Sequence, residues 1–305
     1  MKPGIKVSLL LFIAVFILSG SAFAAPQPIK AVATIFPLAD LVRQIGGNRV
    51  KVMTLLTSGM SEHTFEPTPA QIRQVAEVAL YVRVGAGMDS WGDKLLAAAK
   101  RPPVIVTATQ GITLLSVAEQ DLMPEAGGRA HQHEGDDPHV WLDPILVRDY
   151  IVPKITAALV SLSPGDAGFF KANGLRFANE LTSLDREMRG RIKSLSRHDF
   201  IALHGAWHYL GKRYGLRQIA AVEPFPGKEP SAKYIAALVT MARKRGVVTI
   251  FAEPQLSAKT ANVLASELKG QVLLLDPLGG ETMPGRNSYP ALMRYNLSVI
   301  FRGMK

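Results

Sequence analysis

The sequence has 305 residues, enough for two domains, and its 48% apolar and 20% charged content excludes a globally disordered chain. It has no cysteine, so disulfides and thiolate metal sites are excluded, and a metal site must use histidine and carboxylate ligands. The net charge of +10 comes from basic residues dispersed along the chain, which argues against a nucleic-acid-binding protein.

The first 24 residues have the pattern of a secretory signal peptide. Lys2 and Lys6 form a positively charged start, Val7–Leu18 is an apolar run with one serine, and Ala24 ends a small-residue cleavage site. The run is short for a membrane span, although a membrane anchor remains the alternative. We expect cleavage after Ala24 and an exported mature chain from Ala25 onward, without stable membrane insertion.

In the mature chain, short β-branched runs alternate with helical patterns, which predicts an α/β fold with largely parallel sheets. In the first half the predicted strands are Ile29–Ile35, Val50–Leu56, Ala79–Val84 and Val104–Thr107, and the helices are Pro37–Ile45, one after the N-cap Thr68, one around Gly92–Ala99, and Pro144–Leu162. Residues 119–138 show no periodicity and contain proline and glycine, so we predict a loop there.

A long helix is predicted at the middle of the chain. Ser163 and Pro164 suit its N-cap and first position. Apolar residues then recur at spacings of three and four, at Leu181, Leu184, Met188, Ile192 and Leu195. At about 30 residues, it is longer than most globular helices, and we interpret it as a rigid connection between two lobes.

The second half repeats the strand and helix alternation. Its predicted strands are Phe200–Leu203, Gln218–Val222, Val247–Phe251 and Val272–Leu275, with Ser231 and Ser257 as N-cap candidates and a final helix Tyr289–Phe301. We therefore predict two lobes, 25–162 and 196–305, each with a mostly parallel sheet flanked by helices, joined by one long backbone helix within 163–195.

Three histidines and one aspartate are distributed over the two predicted lobes. Three of the four lie within about one turn of a strand end or helix start, where open α/β sheets bind ligands, whereas His63 lies farther out on a loop. His63 and His139 belong to the first lobe, and His204 and Asp276 to the second. Three imidazoles and one carboxylate complete a tetrahedral Zn²⁺ site, and nitrogen ligands suit zinc better than manganese. On residue type alone, however, a histidine is more often an ordinary hydrogen-bonded residue than a metal ligand.

The chain resembles the zinc/manganese ABC-transporter solute-binding family, the ZnuA/TroA type or cluster A-I. The matching segments are SEHTFEPTP (61–69), DPHVWLDP (137–144), LHGAWHYL (203–210), RYGL (213–216), EPSAK (229–233), FAEPQ (251–255) and LLDPLG (274–279). They keep the family order and cover nearly the whole mature chain.

This resemblance implies a monomeric periplasmic protein that binds a metal ion in the cleft between its lobes and delivers it to an inner-membrane ABC permease and its ATPase. The family's ligand positions fall on His63, His139, His204 and Asp276. Manganese receptors of the family commonly have glutamate at the third position, so His204 favours Zn²⁺, with a Mn²⁺ or mixed receptor as the alternative.

Three further residues are candidates for supporting roles at the site. Glu62 and Glu253 are predicted to orient ligand imidazoles; Glu62 can also bind the metal directly, and a turn residue is the alternative for Glu253. His208 lies four residues after His204, so both can share a helix face, and we predict a supporting or structural role for it.

The chain departs from the family pattern in two places. The loop before the second ligand is short, and its His131 and His133 either gather metal weakly or belong to a solvated loop. Gly205 stands where the family commonly has aspartate.

The main alternative of another class is a zinc-dependent hydrolase, which needs an open coordination position and a nearby base. The sequence contains no HExxH, GxSxG or phosphate-loop motif. Asp276 distinguishes the metal receptor from the hydrolase. If Asp276 is a fourth protein ligand, it fills the coordination position that a hydrolase would need for its catalytic water. A surface adhesin or zinc-storage protein is disfavoured by the absence of a lipid-anchor cysteine.

Overall fold

The computed structural model describes residues 27–97, 101–116, 135–225 and 228–305. Their strands form two four-stranded sheets in which every pairing is parallel, and helices flank both sheets. The predicted α/β class is therefore confirmed. The predicted signal peptide, with His131 and His133, lies outside the described residues.

The first sheet has the strand order β2-β1-β3-β4. Its strands are β1 (Ile29–Ala33), β2 (Val50–Thr54), β3 (Leu80–Arg83) and β4 (Val104–Thr107), within two residues of the predicted ends. Its helices are α1 (Phe36–Gly46), α2 (Pro69–Val75) and α3 (Trp91–Ala97). After a 3₁₀ turn at Val140–Leu142, the predicted helix Pro144–Leu162 consists of α4 (Pro144–Leu146), a π-helical segment (Val147–Ile151) and α5 (Val152–Leu162).

The second sheet has the same arrangement, β6-β5-β7-β8. Its strands are β5 (Asp199–Ala202), β6 (Arg217–Ala221), β7 (Thr249–Ala252) and β8 (Gln271–Leu274), and its helices are α7 (His208–Tyr214), α8 (Ala232–Arg245), α9 (Lys259–Glu267) and α10 (Tyr289–Met304). Ser231 is the N-cap of α8, as predicted, and accepts a hydrogen bond from the Tyr234 amide. The N-cap prediction for Ser257 was wrong, because α9 begins one residue later, after Ala258.

The long central helix, α6, spans Ala167–Ile192 and has 26 residues. It is shorter than predicted because Pro164–Asp166 form a separate 3₁₀ turn before it. Ser163 caps no backbone amide; its hydroxyl instead donates to Asp166 Oδ2 at 2.8 Å. The buried face of α6 contacts α1 and α5 of the first lobe and α10 of the second.

Buried hydrogen bonds join the two halves of the molecule. The Tyr289 amide donates to Asp40 Oδ2 at 2.7 Å, and the Tyr289 hydroxyl donates to the Trp141 carbonyl at 2.7 Å. Trp141 Nε1 in turn donates to the Pro277 carbonyl at 2.8 Å. One hydrophobic cluster also continues from the first sheet through α6 into α10. Because the two sheets share this packing, we expect little hinge motion between them. In the described part of the chain, no helix is long and apolar enough to cross a membrane.

The capping prediction at Thr68 is confirmed and can be tested energetically. Its side chain accepts from the Gln71 amide while the Gln71 side chain bonds back to the Thr68 amide, a complete capping box. We expect Thr68→Ala to lower the free energy of unfolding by about 1 kcal/mol, since it leaves a helix-terminal amide unpaired. Denaturant unfolding measures this. Ser266→Ala, at an exposed serine inside α9 that is not a helix cap, is the control and should cost less than about 0.5 kcal/mol. Equal losses for both variants would refute the capping role.

Candidate metal site

The candidate site lies at the carboxyl ends of the strands, between the two sheets. His204 is the second residue after β5, and Glu253 is the first residue after β7. These two strands are neighbours at the point where the strand order of the second sheet reverses, which is the usual ligand position in such sheets. From the first lobe, Glu62 and His63 lie between β2 and α2, and His139 precedes the 3₁₀ turn.

Four of these side chains converge on one point. Glu62, His63, His139 and His204 each offer one ligand atom, and the four atoms all lie within 4.8 Å of one another. His204 Nε2 lies 3.4 Å from His139 Nε2, and the three imidazole ring centroids are 5.2–5.8 Å apart. The three predicted histidines are therefore brought together from both lobes. Nitrogen atoms that face each other at this spacing suit a shared cation.

Glu62 supplies the carboxylate of this group. The residue is 2% exposed, and its Oε1 lies 3.8 Å from His63 Nε2 without a hydrogen-bond partner in the described structure. A buried carboxylate oxygen without a partner is costly, and burial raises the pKa of Glu62. A cation at the centre of the group would supply the missing partner.

Glu253 orients the His204 ring from the side opposite the other imidazoles. Its Oε2 lies 2.5 Å from His204 Nδ1, which leaves His204 Nε2 facing the other imidazoles. Trp207 Nε1 donates to the other carboxylate oxygen at 3.3 Å. Burial acts to lower the pKa of His204, but the adjacent Glu253 carboxylate outweighs it, and the pKa is raised. A carboxylate behind a ligand imidazole makes the ring a stronger metal donor.

Asp137 orients His139 in the same way. Its Oδ1 lies 2.7 Å from His139 Nδ1 and also accepts from the His139 amide at 2.9 Å. Although burial opposes this, the neighbouring His139 holds the pKa of Asp137 well below its usual range. This residue was missed by sequence reasoning, and an acid two residues before a candidate ligand is the signal that could have identified it.

His63 is the most accessible of the three imidazoles. Its side chain is 26% exposed, compared with 5% for His139 and 3% for His204. Desolvation and the two facing imidazoles hold its pKa well below the usual value, so it is neutral and able to bind a metal. A cleft lined by residues of both halves of the chain, including Ser61 and Glu223, lies next to this segment.

Asp276 has a different environment. It follows β8 as predicted and is fully buried, but it is not in the four-residue group found in the described structure. Its Oδ1 accepts from Gln255 Nε2 at 2.8 Å and from the amides of Leu278 and Gly279, and its Oδ2 accepts from Arg286 at 2.8 Å. Both oxygens are thus engaged, and the assignment of Asp276 as a ligand stays a prediction.

His208 contacts Asp137, the residue that orients His139, and is not part of the four-residue group. It is the first residue of α7, and its Nδ1 lies 3.1 Å from the Gly205 carbonyl and 3.5 Å from Asp137 Oδ2. It therefore touches the carboxylate that orients His139.

Comparison with known proteins places this site in a family context. Residues 31–303 match the family described as "Zinc-uptake complex component A periplasmic". The chain is similar to the high-affinity zinc uptake system protein ZnuA of Bacillus subtilis, with 30% identity over 92% of this chain and 89% of that protein. It is also 30% identical, over 90% of its length, to the zinc-binding protein AdcA of Streptococcus pyogenes, of which it spans 56%. A crystal structure of ZnuA superimposes with a TM-score of 0.80 at 29% identity, covering 92% of this chain and all of that one.

Proposed function

The chain belongs to the family of periplasmic component A proteins of zinc-uptake complexes, and on this basis we propose that it captures one Zn²⁺ between its lobes for import. The observation that carries the proposal is the buried Glu62 oxygen, without a hydrogen-bond partner in the described structure, facing three converging imidazoles from both lobes. The family consists of binding proteins that carry out no bond chemistry, which removes the hydrolase alternative.

The proposed ligands are the three imidazoles of His63, His139 and His204 with one carboxylate. Glu62 is the better-placed carboxylate, because its oxygen is free and lies within the group, whereas Asp276 is held by Arg286. A set of three nitrogens and one oxygen suits Zn²⁺, which is usually four-coordinate in proteins. Manganese prefers more oxygen ligands, so a Mn²⁺ or mixed receptor remains the alternative within the same family.

In the proposed mechanism, neutral imidazoles bind the ion while Glu253 and Asp137 keep His204 and His139 oriented. Ligands from both lobes let the ion stabilise the closed arrangement. The shared interlobe packing restricts opening, so loading changes local segments near the site more than the angle between the lobes. An inner-membrane ABC permease with its ATPase then recognises the loaded state and receives the Zn²⁺.

The proposal also covers the export of the chain and its division into lobes. The signal peptide is removed after Ala24, and the mature monomer works in the periplasm. The first lobe (25–162) and second lobe (196–305) are connected through the segment 163–195, which contains α6.

Metal analysis of protein purified without a histidine tag is the direct test. We expect one Zn²⁺ per chain, and titration of the stripped protein should show tighter binding of Zn²⁺ than of Mn²⁺. Tighter Mn²⁺ binding would favour the manganese alternative. Failure to bind either ion at one equivalent would overturn the proposal.

Zinc affinity is expected to fall as the pH falls, because protons and Zn²⁺ compete for the same imidazole nitrogens. The Glu253 carboxylate raises the pKa of His204, so at neutral pH both ring nitrogens of His204 are protonated, and Zn²⁺ must displace the proton on Nε2. His63 is already neutral. His204 should therefore contribute about one released proton near pH 7, and affinity should still be rising there. Calorimetry in two buffers of different ionisation enthalpy measures the released protons. Glu253→Gln should reduce this release, and unchanged proton release in that variant would contradict the role given to Glu253.

A further inference from the structure

A tyrosine of the second lobe reaches the segment that carries a first-lobe ligand. Tyr209, the second residue of α7, is 4% exposed. Its hydroxyl donates to the Asp137 carbonyl at 3.0 Å and accepts from the Leu115 amide at 3.0 Å. One hydroxyl therefore bonds to two first-lobe residues that are far apart in the chain.

These two residues are themselves paired next to the site. The Asp137 amide donates to the Leu115 carbonyl at 2.8 Å, and Ser116 and Asp136 form an antiparallel bridge beside them. Tyr209 thus fixes the backbone of the residue whose carboxylate orients His139. The neighbouring His208 lies 3.5 Å from the same carboxylate, on Oδ2.

The Tyr209 contact also bears on the position of His139 relative to His204. Tyr209 lies five residues after His204 on the same lobe, and His204 Nε2 must meet His139 Nε2 at 3.4 Å. Each of these two imidazoles is held by a carboxylate of its own lobe, His204 by Glu253 and His139 by Asp137. The Tyr209 hydroxyl bridges the lobes at this point.

We propose that Tyr209 is a positioning residue for metal binding, which places His139 against His204 by holding Asp137 from across the lobe boundary. This inference rests on the proposed function. By linkage, Zn²⁺ binding and the Tyr209–Asp137 contact stabilise each other.

Tyr209→Phe tests the role, because it removes the hydroxyl and keeps the buried ring. We expect Zn²⁺ binding to weaken by about 10-fold, the low end of the effect of losing a group that orients a metal ligand, because Tyr209 acts on His139 only through Asp137. Tyr234→Phe is the matched control: it also removes a hydroxyl that donates to a backbone carbonyl, that of Ala221, and neither residue belongs to the four-residue group. Unfolding of both metal-free variants should be similar, and the visible spectrum of bound Co²⁺ should change only in Tyr209→Phe.

A double-mutant cycle with Asp137→Asn shows whether Tyr209 acts through Asp137. If it does, the two losses in affinity are not additive. Zinc affinity and a Co²⁺ spectrum in Tyr209→Phe like those of Tyr234→Phe would overturn the inference, and so would strictly additive losses. A wild-type protein that binds no Zn²⁺ would instead overturn the proposed function.

Discussion

Replacing His139 by alanine is expected to weaken Zn²⁺ binding by about two to three orders of magnitude. A structural zinc site is worth about 10–16 kcal/mol, so each of four ligands contributes about 2.5–4 kcal/mol, which corresponds to about that loss. The variant also leaves the buried Asp137 carboxylate without its imidazole, which should lower the free energy of unfolding as well. Competition against a chelator of known affinity measures the loss of zinc affinity.

His198→Ala is the control for this prediction, since it removes a histidine that is not part of the four-residue group. Its zinc affinity should equal that of the wild type. His208→Ala should lie between the two, because His208 touches Asp137 but offers no atom to the group. Full retention of zinc by His139→Ala would remove the whole site assignment.

The second large effect distinguishes the two candidate carboxylate ligands. Glu62→Gln is expected to weaken Zn²⁺ binding by about two to three orders of magnitude, because it replaces a charged oxygen in the group with a neutral amide. Asp276→Asn should change zinc affinity by less than about threefold. Chelator competition on both variants gives the comparison.

Asp276→Asn should instead reduce the stability of the metal-free protein. Arg286 would lose its charged partner, and Gln255 would face an altered acceptor, at a cost of about 2–3 kcal/mol in the free energy of unfolding. Denaturant unfolding without metal measures this loss. The opposite pattern is zinc binding lost in Asp276→Asn and kept in Glu62→Gln. It would show that Asp276 breaks its ion pair with Arg286 and binds the Zn²⁺ itself.

The α/β fold and much of the site could be predicted from the sequence. The strand β4 has its predicted ends, and Thr68 and Ser231 cap the helices that they were expected to cap. Strand propensity, helix caps and turn residues act between neighbours in the chain, so short segments carry their signal. The meeting of His63, His139 and His204 was expected mainly from the family resemblance, because only His204 directly follows a strand, whereas His63 and His139 lie on loops.

Only the tertiary structure decided which carboxylate faces the imidazoles. Both residues are buried, Glu62 on the loop between β2 and α2 and Asp276 just after β8. Arg286 and Gln255 come from separate segments to engage Asp276, whereas Glu62 Oε1 has no hydrogen-bond partner in the described structure. The contacts of Asp137 and Tyr209 likewise join residues 72 positions apart. Hydrogen-bond partners at such separations depend on how the elements pack, and no local pattern in the chain specifies them.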